Sequence, residues 1–157
     1  MFRTGGRADL RDNPVRMRGF IRGGKLRRGP VKFVLIHHAA CDARVHYRIS
    51  GSGETVALLN ESERATHANS IEIGLDGSFS ESPPDKRQTD ALKDLLLTLK
   101  QRYPDLAVGG HRQVRGSRTD CPGRKFPLKA LLAWSRSGLI EARDAALQEE
   151  VDRQYRP

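Results

Sequence analysis

An α/β fold, a single domain with a central mixed β-sheet flanked by helices, is predicted by three observations. The nearly continuous apolar run Lys32–His38 reads as a strand covered on both faces. Leu92, Leu95, Leu96, Leu99 and Tyr103 recur at helical spacing and form one apolar stripe. The order of elements is strand, hairpin, strand, long helix, strand, helix, which suits helices packed on a mixed sheet.

The elements follow from local residue choices. Met1–Pro30 reads as loop with a short ordered stretch near Val15–Ile21, because Pro14, Pro30 and the glycine pairs at 5–6 and 23–24 break anything longer. Lys32–His38 is the first strand. Val45–Ser50 and Glu54–Leu59 form a hairpin around Gly51-Ser52-Gly53, with Val45, Tyr47 and Ile49 on one face of its first arm. The polar stretch Glu61–Asn69 is a loop that carries His67. Ser70–Leu75 is the next strand, with Ile71, Ile73 and Leu75 on one face and Ser70, Glu72 and Gly74 on the other.

Gly77–Lys86, with Pro83-Pro84, is a loop, and Thr89 is expected to cap a helix that runs to about Tyr103, where Pro104 stops it. Ala107–Gly110 is a short strand that delivers His111. Leu128–Ser137 is a helix with Trp134. Gly138 breaks it, and a charged helix follows from Leu139 to about Arg153, with Ile140, Leu147 and Val151 as a thin apolar edge. No internal repeat is present.

A chain of 157 residues can bury a core without disulfide staples. Two cysteines, Cys41 and Cys121, fit a reduced compartment or one disulfide. Neither a signal-peptide apolar segment nor a membrane-spanning stretch is found, so the reading is a soluble protein made in the cytoplasm. The net charge of +9 is concentrated in Met1–Lys32, where ten Lys and Arg stand against Asp9 and Asp12. A basic arm suits a polyanion such as nucleic acid, anionic lipid or an anionic cell-wall polymer. The arm has almost no aromatic residues for stacking and no nucleic-acid module follows it, so no specific nucleic acid is expected as a partner.

The chemistry centres on Gly109–Gly123, GGHRQVRGSRTDCPG, which holds His111 and Cys121. Imidazole and thiolate together suit a borderline-soft cation such as zinc. Two ligands do not complete such a site, and the third donor is His37 or His38, at the end of the first strand. Three protein ligands and one open position make a catalytic layout.

These segments resemble the zinc-dependent N-acetylmuramoyl-L-alanine amidases of type 2, a family that includes phage endolysins, cytosolic anhydro-muropeptide amidases and peptidoglycan recognition proteins. The resemblance covers about Val31–Leu132 and rests on VLIHHAA, VHYRISGSGETVALLNE, RATHANSIEIGLDG, VGGHRQV and TDCPGRKFPL, in the family's order. It implies a zinc site of His37, His111 and Cys121, with His38 in a supporting place. It implies hydrolysis of the amide between N-acetylmuramic acid and L-alanine. Residues 31–137 then form the zinc amidase catalytic domain, 1–30 a basic N-terminal arm and 138–157 a charged C-terminal helix. The implied partners are peptidoglycan or a muropeptide, with an anionic cell-wall polymer held by the arm, and the protein is expected to be a monomer.

The chain departs from the family at informative positions. Val45 stands where many members have a catalytic tyrosine, Thr119 where phage members have a lysine, and Gly74 where cytosolic members have a glutamate. Glu72, two residues earlier on the same strand face, is therefore expected to be the general base, with His46 as fallback and the Thr119 hydroxyl donating to the oxyanion. His67, Asn69 and Arg118 are expected to face substrate. Cys41 is expected to be dispensable.

The reading is a phage or prophage endolysin that acts on the wall after release. The alternatives are a non-catalytic muropeptide-binding module, a cytosolic recycling amidase, a basic nucleic-acid-binding protein supported only by the arm, and a hydrolase with Cys121 as nucleophile. Pro122 argues against the last, since such nucleophiles usually open a helix.

Overall fold

The computed structural model describes residues 15–17, 25–137, 149, 153 and 154. Among the described residues six strands form one sheet: β1 (Val15–Met17), β2 (Phe33–His38), β3 (Tyr47–Ile49), β4 (Thr55–Ala57), β5 (Ser70–Leu75) and β6 (Ala107–Gly110). Their order across the sheet is β1-β4-β3-β5-β2-β6. Only the β3–β4 hairpin is antiparallel; the other neighbours run parallel, so the sheet is mixed.

The central strands are β2 and β5, and their register sets everything that follows. Leu35 lies beside Glu72, Ile36 beside Ile73 and His37 beside Gly74. Side chains alternate along a strand, so Leu35, His37, Glu72 and Gly74 share one face. Val34, Ile36, Ile71, Ile73 and Leu75 share the other, where they form the core with Tyr47 and Ile49. Helix α1 (Lys86–Arg102) lays Leu92, Leu95, Leu96 and Leu99 on that core. A second helix, α2 (128–137), adds Leu128 and Leu131 to it. Burying each of these leucines is worth on the order of 1.5–3 kcal/mol. Because α1 and α2 pack on the same face, the opposite face is left to the polar side chains.

Helix α1 starts earlier than the sequence suggests. Its N-cap is Asp85, not Thr89: the Asp85 carboxylate accepts from the Arg87 N–H at 2.8 Å, and the Gln88 side chain accepts from the Asp85 N–H, closing a capping box. Thr89 lies inside the helix, and its hydroxyl donates to the Lys86 carbonyl. Pro83-Pro84 ends the loop directly before the cap, so the first turn begins as soon as an N–H donor is needed.

The boundary expected at residue 30 also moves. β1 pairs with β4 as an edge strand of the sheet, and Leu26 bridges to Glu63. Arg27 reaches further in: its Nη2 donates to the carbonyls of Ser70 at 3.1 Å and Glu63 at 3.3 Å. The stretch around 25–29 is thus part of the domain, and burial lowers the Arg27 pKa. The remainder of the basic arm lies outside the described residues. So does the C-terminal helix, except that 149, 153 and 154 are helical and Arg153 pairs with Glu149.

Arg27→Met leaves the Ser70 and Glu63 carbonyls without their charged donor. It should destabilise the fold by about 1–3 kcal/mol in urea denaturation, with an unchanged dependence on denaturant. Stability equal to the parent would show that Arg27 belongs to a detachable arm.

Candidate metal centre

Four potential ligand atoms converge at the end of β2: one each from His37, Cys41, His111 and Cys121, all within 4.8 Å of one another. Each arrives by a different local device. His37 is the fifth residue of β2 and is buried. Cys41 ends a 3-10 turn, Ala39–Cys41, which follows β2 directly and turns back through Asp42 at φ 39. His111 opens a second 3-10 turn, His111–Gln113, as soon as β6 ends. Cys121 comes from the loop after it, across a cis bond to Pro122.

That loop is held closely. The Arg112 N–H donates to the Cys121 carbonyl at 2.8 Å, and the Cys121 N–H donates to the Thr119 hydroxyl at 3.1 Å. Gly123 has φ +108, and a Cβ there would lie 2.3 Å from the Phe79 carbonyl carbon, so only glycine fits. A Cβ on Gly110 would meet Leu128 at 2.8 Å. The two glycines let the backbone approach that brings Cys121 to the histidines.

The separations fit a tetrahedral cation. Zinc bonds of about 2.05 Å to nitrogen and 2.3 Å to sulfur imply an N···S edge of about 3.5 Å. Cys121 Sγ lies 3.7 Å from His37 Nδ1, and Cys41 Sγ lies 3.1 Å from His111 Nδ1 and 3.9 Å from His37 Nδ1. Both cysteines are free thiols. Burial, with Cys41 and Asp120 adding to it, pushes the Cys121 thiol up to about 12 in the metal-free protein. A cation there would reverse that preference by stabilising the thiolate. Burial and the nearby His37 and His67 rings lower the His111 pKa, which favours the neutral, ligating form.

Behind the cluster sits Glu72, fully buried. Its Oε1 lies 2.9 Å from His37 Nε2 and 2.8 Å from His67 Nδ1, and its Oε2 accepts from the His67 N–H at 2.8 Å. Burial pushes its pKa up, but the hydrogen bonds from His37 and His67 outweigh burial, and the net shift is downward. An ionised carboxylate only accepts, so both imidazoles donate to it. That sets both tautomers: His37 presents a lone pair at Nδ1, toward the sulfurs, and His67 presents one at Nε2. His37, His67 and Glu72 also converge closely enough to hold an ion. Their 2.8–2.9 Å separations are hydrogen bonds already, however, whereas a zinc-bound N···O edge is about 3.4 Å.

The other sequence-derived candidates fall in different places. His38 turns to the core face, where its Nδ1 accepts from the Phe79 N–H at 3.1 Å. His46 does not fit a role as base: it is wholly buried, its Nδ1 accepts from the Glu72 N–H and its Nε2 donates to the Glu63 carbonyl. With both nitrogens engaged it ties β3 to β5 and the 61–69 loop. Asn69 is half-buried, with φ +57 and a main-chain carbonyl that accepts from the Lys32 and Phe33 N–H groups. Arg118 is exposed on the loop before Cys121. Glu72 grips two histidines with one oxygen and a backbone N–H with the other, the geometry of an orienting group. Val45 and Gly74 face each other: both Val45 methyls lie 3.4 Å from where a Gly74 Cβ would be. Cys41, set aside as dispensable in the sequence, has its sulfur among the other three candidate ligand atoms. The signal was its spacing from His37, His-x3-Cys, across a strand end.

A family model described as N-acetylmuramoyl-L-alanine amidase matches residues 27–124. Among solved structures, the N-acetylmuramoyl-L-alanine amidase LysC from Clostridium intestinale superposes with a TM-score of 0.66 at 20% identity, covering 76% of this chain and 95% of that one. Drosophila PGRP-LB, in a mutant form in complex with tracheal cytotoxin, gives 0.66 at 21% identity over 77% and 94%. Bumblebee PGRP-SA gives 0.65 at 20% identity over 76% and 94%. At these identities the likeness speaks for the fold. A search of curated protein sequences finds no significant match.

Glu72→Gln keeps shape and removes the charge that sets both tautomers. It should weaken metal affinity by about 10–100-fold, the usual cost of losing a group that orients a ligand, read by competition with a chromophoric chelator. A general base with no hold on His37 would leave affinity unchanged.

Proposed function

The chain belongs to the N-acetylmuramoyl-L-alanine amidase family, an amidase or binder of peptidoglycan, and from that premise we propose that it is a zinc-dependent hydrolase of the bond between N-acetylmuramic acid and L-alanine. The observation that carries this reading is the convergence of His37, His111 and Cys121 in front of a buried carboxylate. When bound, zinc supplies a Lewis acid and lowers the pKa of a water to about 7.

The chain's own residues supply the rest. His37 Nδ1, His111 Nδ1 and Cys121 Sγ are the proposed ligands, and Glu72 holds His37 in the ligating tautomer through Nε2. His67 is the proposed proton carrier, because its Nδ1 is tied to Glu72 at 2.8 Å and its Nε2 keeps a lone pair. Its ring centroid lies 4.8 Å from that of His111, edge to face, and it is partly exposed. It takes a proton from the attacking water and returns it to the alanine nitrogen as that nitrogen leaves. Thr119 accepts from the Cys121 N–H, which leaves its own O–H to donate to the oxyanion. The exposed Arg118 is proposed to meet the anionic groups of the peptide stem.

The preferred substrate is polymeric wall, in the manner of an endolysin, and the chain acts as a monomer. The support is the excess of Lys and Arg in residues 1–32, suited to an anionic wall polymer. No helix among the described residues is long and apolar enough to cross a membrane. A second reading, a muropeptide-binding module without turnover, is favoured by Val45 packed over Gly74, which leaves that side of the site apolar.

Mass spectrometry of products from intact sacculi and from soluble muropeptides decides between them. Free stem peptides should appear with zinc and vanish with a chelator, and muropeptide binding without any release would establish the binding module. His67→Ala should lower kcat by about 10²–10⁴-fold with zinc retained. Near-full activity would remove His67 from the proton path.

A further inference from the structure

We propose that Cys41 is a fourth protein ligand, closing a Cys2His2 tetrahedron and holding the position that water would otherwise take. This rests on the zinc reading above and departs from the three-ligand set that the family resemblance implies.

Geometry carries it. Cys41 Sγ is 3.1 Å from His111 Nδ1 and 3.9 Å from His37 Nδ1. Those values bracket the edge of about 3.5 Å expected between nitrogen and sulfur on one zinc. Cys121, an implied ligand, lies at a comparable 3.7 Å from His37 Nδ1. The chain is also built to bring Cys41 there. β2 ends at His38, the 3-10 turn Ala39–Cys41 follows at once, and the Asp42 N–H closes it on the Ala39 carbonyl at 3.3 Å. The turn returns the fourth residue after His37 to the same end of the strand.

The two sulfurs are not equivalent. Cys121 is fully buried and held through its flanking backbone, whereas Cys41 is partly exposed at the end of a three-residue turn. Cys41 therefore occupies the solvent side of the cluster, from which water and substrate would approach. Four protein ligands make a closed site, the arrangement of structural zinc, and hydrolysis requires one to leave. Cys41 is the one that can leave without moving the strands.

The test uses the full chain loaded with cobalt(II) and, separately, with zinc. Sulfur-to-cobalt charge-transfer absorption should fall by about half in both Cys41→Ser and Cys41→Ala, one thiolate lost of two. X-ray absorption of the zinc form should count two sulfurs in the parent and one in each variant. In the unmodified zinc protein, Cys41 should resist iodoacetamide and become reactive when the metal is removed. At saturating zinc, Cys41→Ala should release stem peptide from soluble muropeptide faster than the parent. One sulfur in every form, or rapid alkylation of Cys41 with zinc retained, overturns the proposal while leaving the three-ligand site intact. Turnover of Cys41→Ala at or below the parent overturns the claim that Cys41 holds the water position. If no form binds metal, the zinc reading itself falls, and this inference with it.

Discussion

A single buried carboxylate holds the site together. Glu72 has no exposed surface, and an ionised group in such a place is costly unless it is fully hydrogen-bonded. Here His37, His67 and the His67 backbone supply three hydrogen bonds. The consequence runs outward. Because the carboxylate can only accept, each imidazole gives it an N–H and keeps one lone pair. One lone pair, at His37 Nδ1, points to the sulfurs; the other is at His67 Nε2. One buried carboxylate thus fixes the tautomers of two histidines, and their hydrogen bonds offset the cost of its burial.

The sheet makes this possible by register. Parallel pairing sets Glu72 two residues out of step with His37 on the same face, since Leu35 faces Glu72 and His37 faces Gly74. The offset lets the carboxylate reach back to Nε2 without competing for the metal side of the ring. The absence of a side chain at Gly74 leaves room that Val45 fills. Where the family resemblance implies a tyrosine or a glutamate, this chain has apolar packing of Val45 over Gly74.

The division of the sheet into two faces explains how a strand can carry two adjacent histidines with opposite fates. His37 joins the cluster, while His38 accepts a backbone N–H from Phe79 beside the core. Phe79 also lies against Gly123, so the core face and the Cys121 loop are braced by the same residue. Any change that moves Phe79 is felt at both the support of β2 and the delivery of the buried sulfur.

Much of this was legible in the sequence for a physical reason: alternation and helical spacing are local properties. The apolar run ending in His37, the split of Ser70–Leu75 into two faces, the stripe on α1 and the approach of Ala107–Gly110 to His111 all follow from periods of two and 3.6 residues. The zinc set was read from ligand chemistry and family resemblance. Where tertiary structure decided, the deciding contacts join residues far apart in the chain. The strand face of Glu72 was legible from alternation, but its hydrogen bonds to His37 and His67 come only from the tertiary structure. His46 looked available until its two nitrogens were found on the Glu72 N–H and the Glu63 carbonyl. Arg27 looked like part of a solvated arm until its guanidinium met the Ser70 and Glu63 carbonyls. The approach of Cys41 to the histidines was not legible because neither alternation nor helical spacing describes a 3-10 turn at a strand end. That turn, and the loop that carries Cys121 toward it, are set against each other by the sheet and not by any local period.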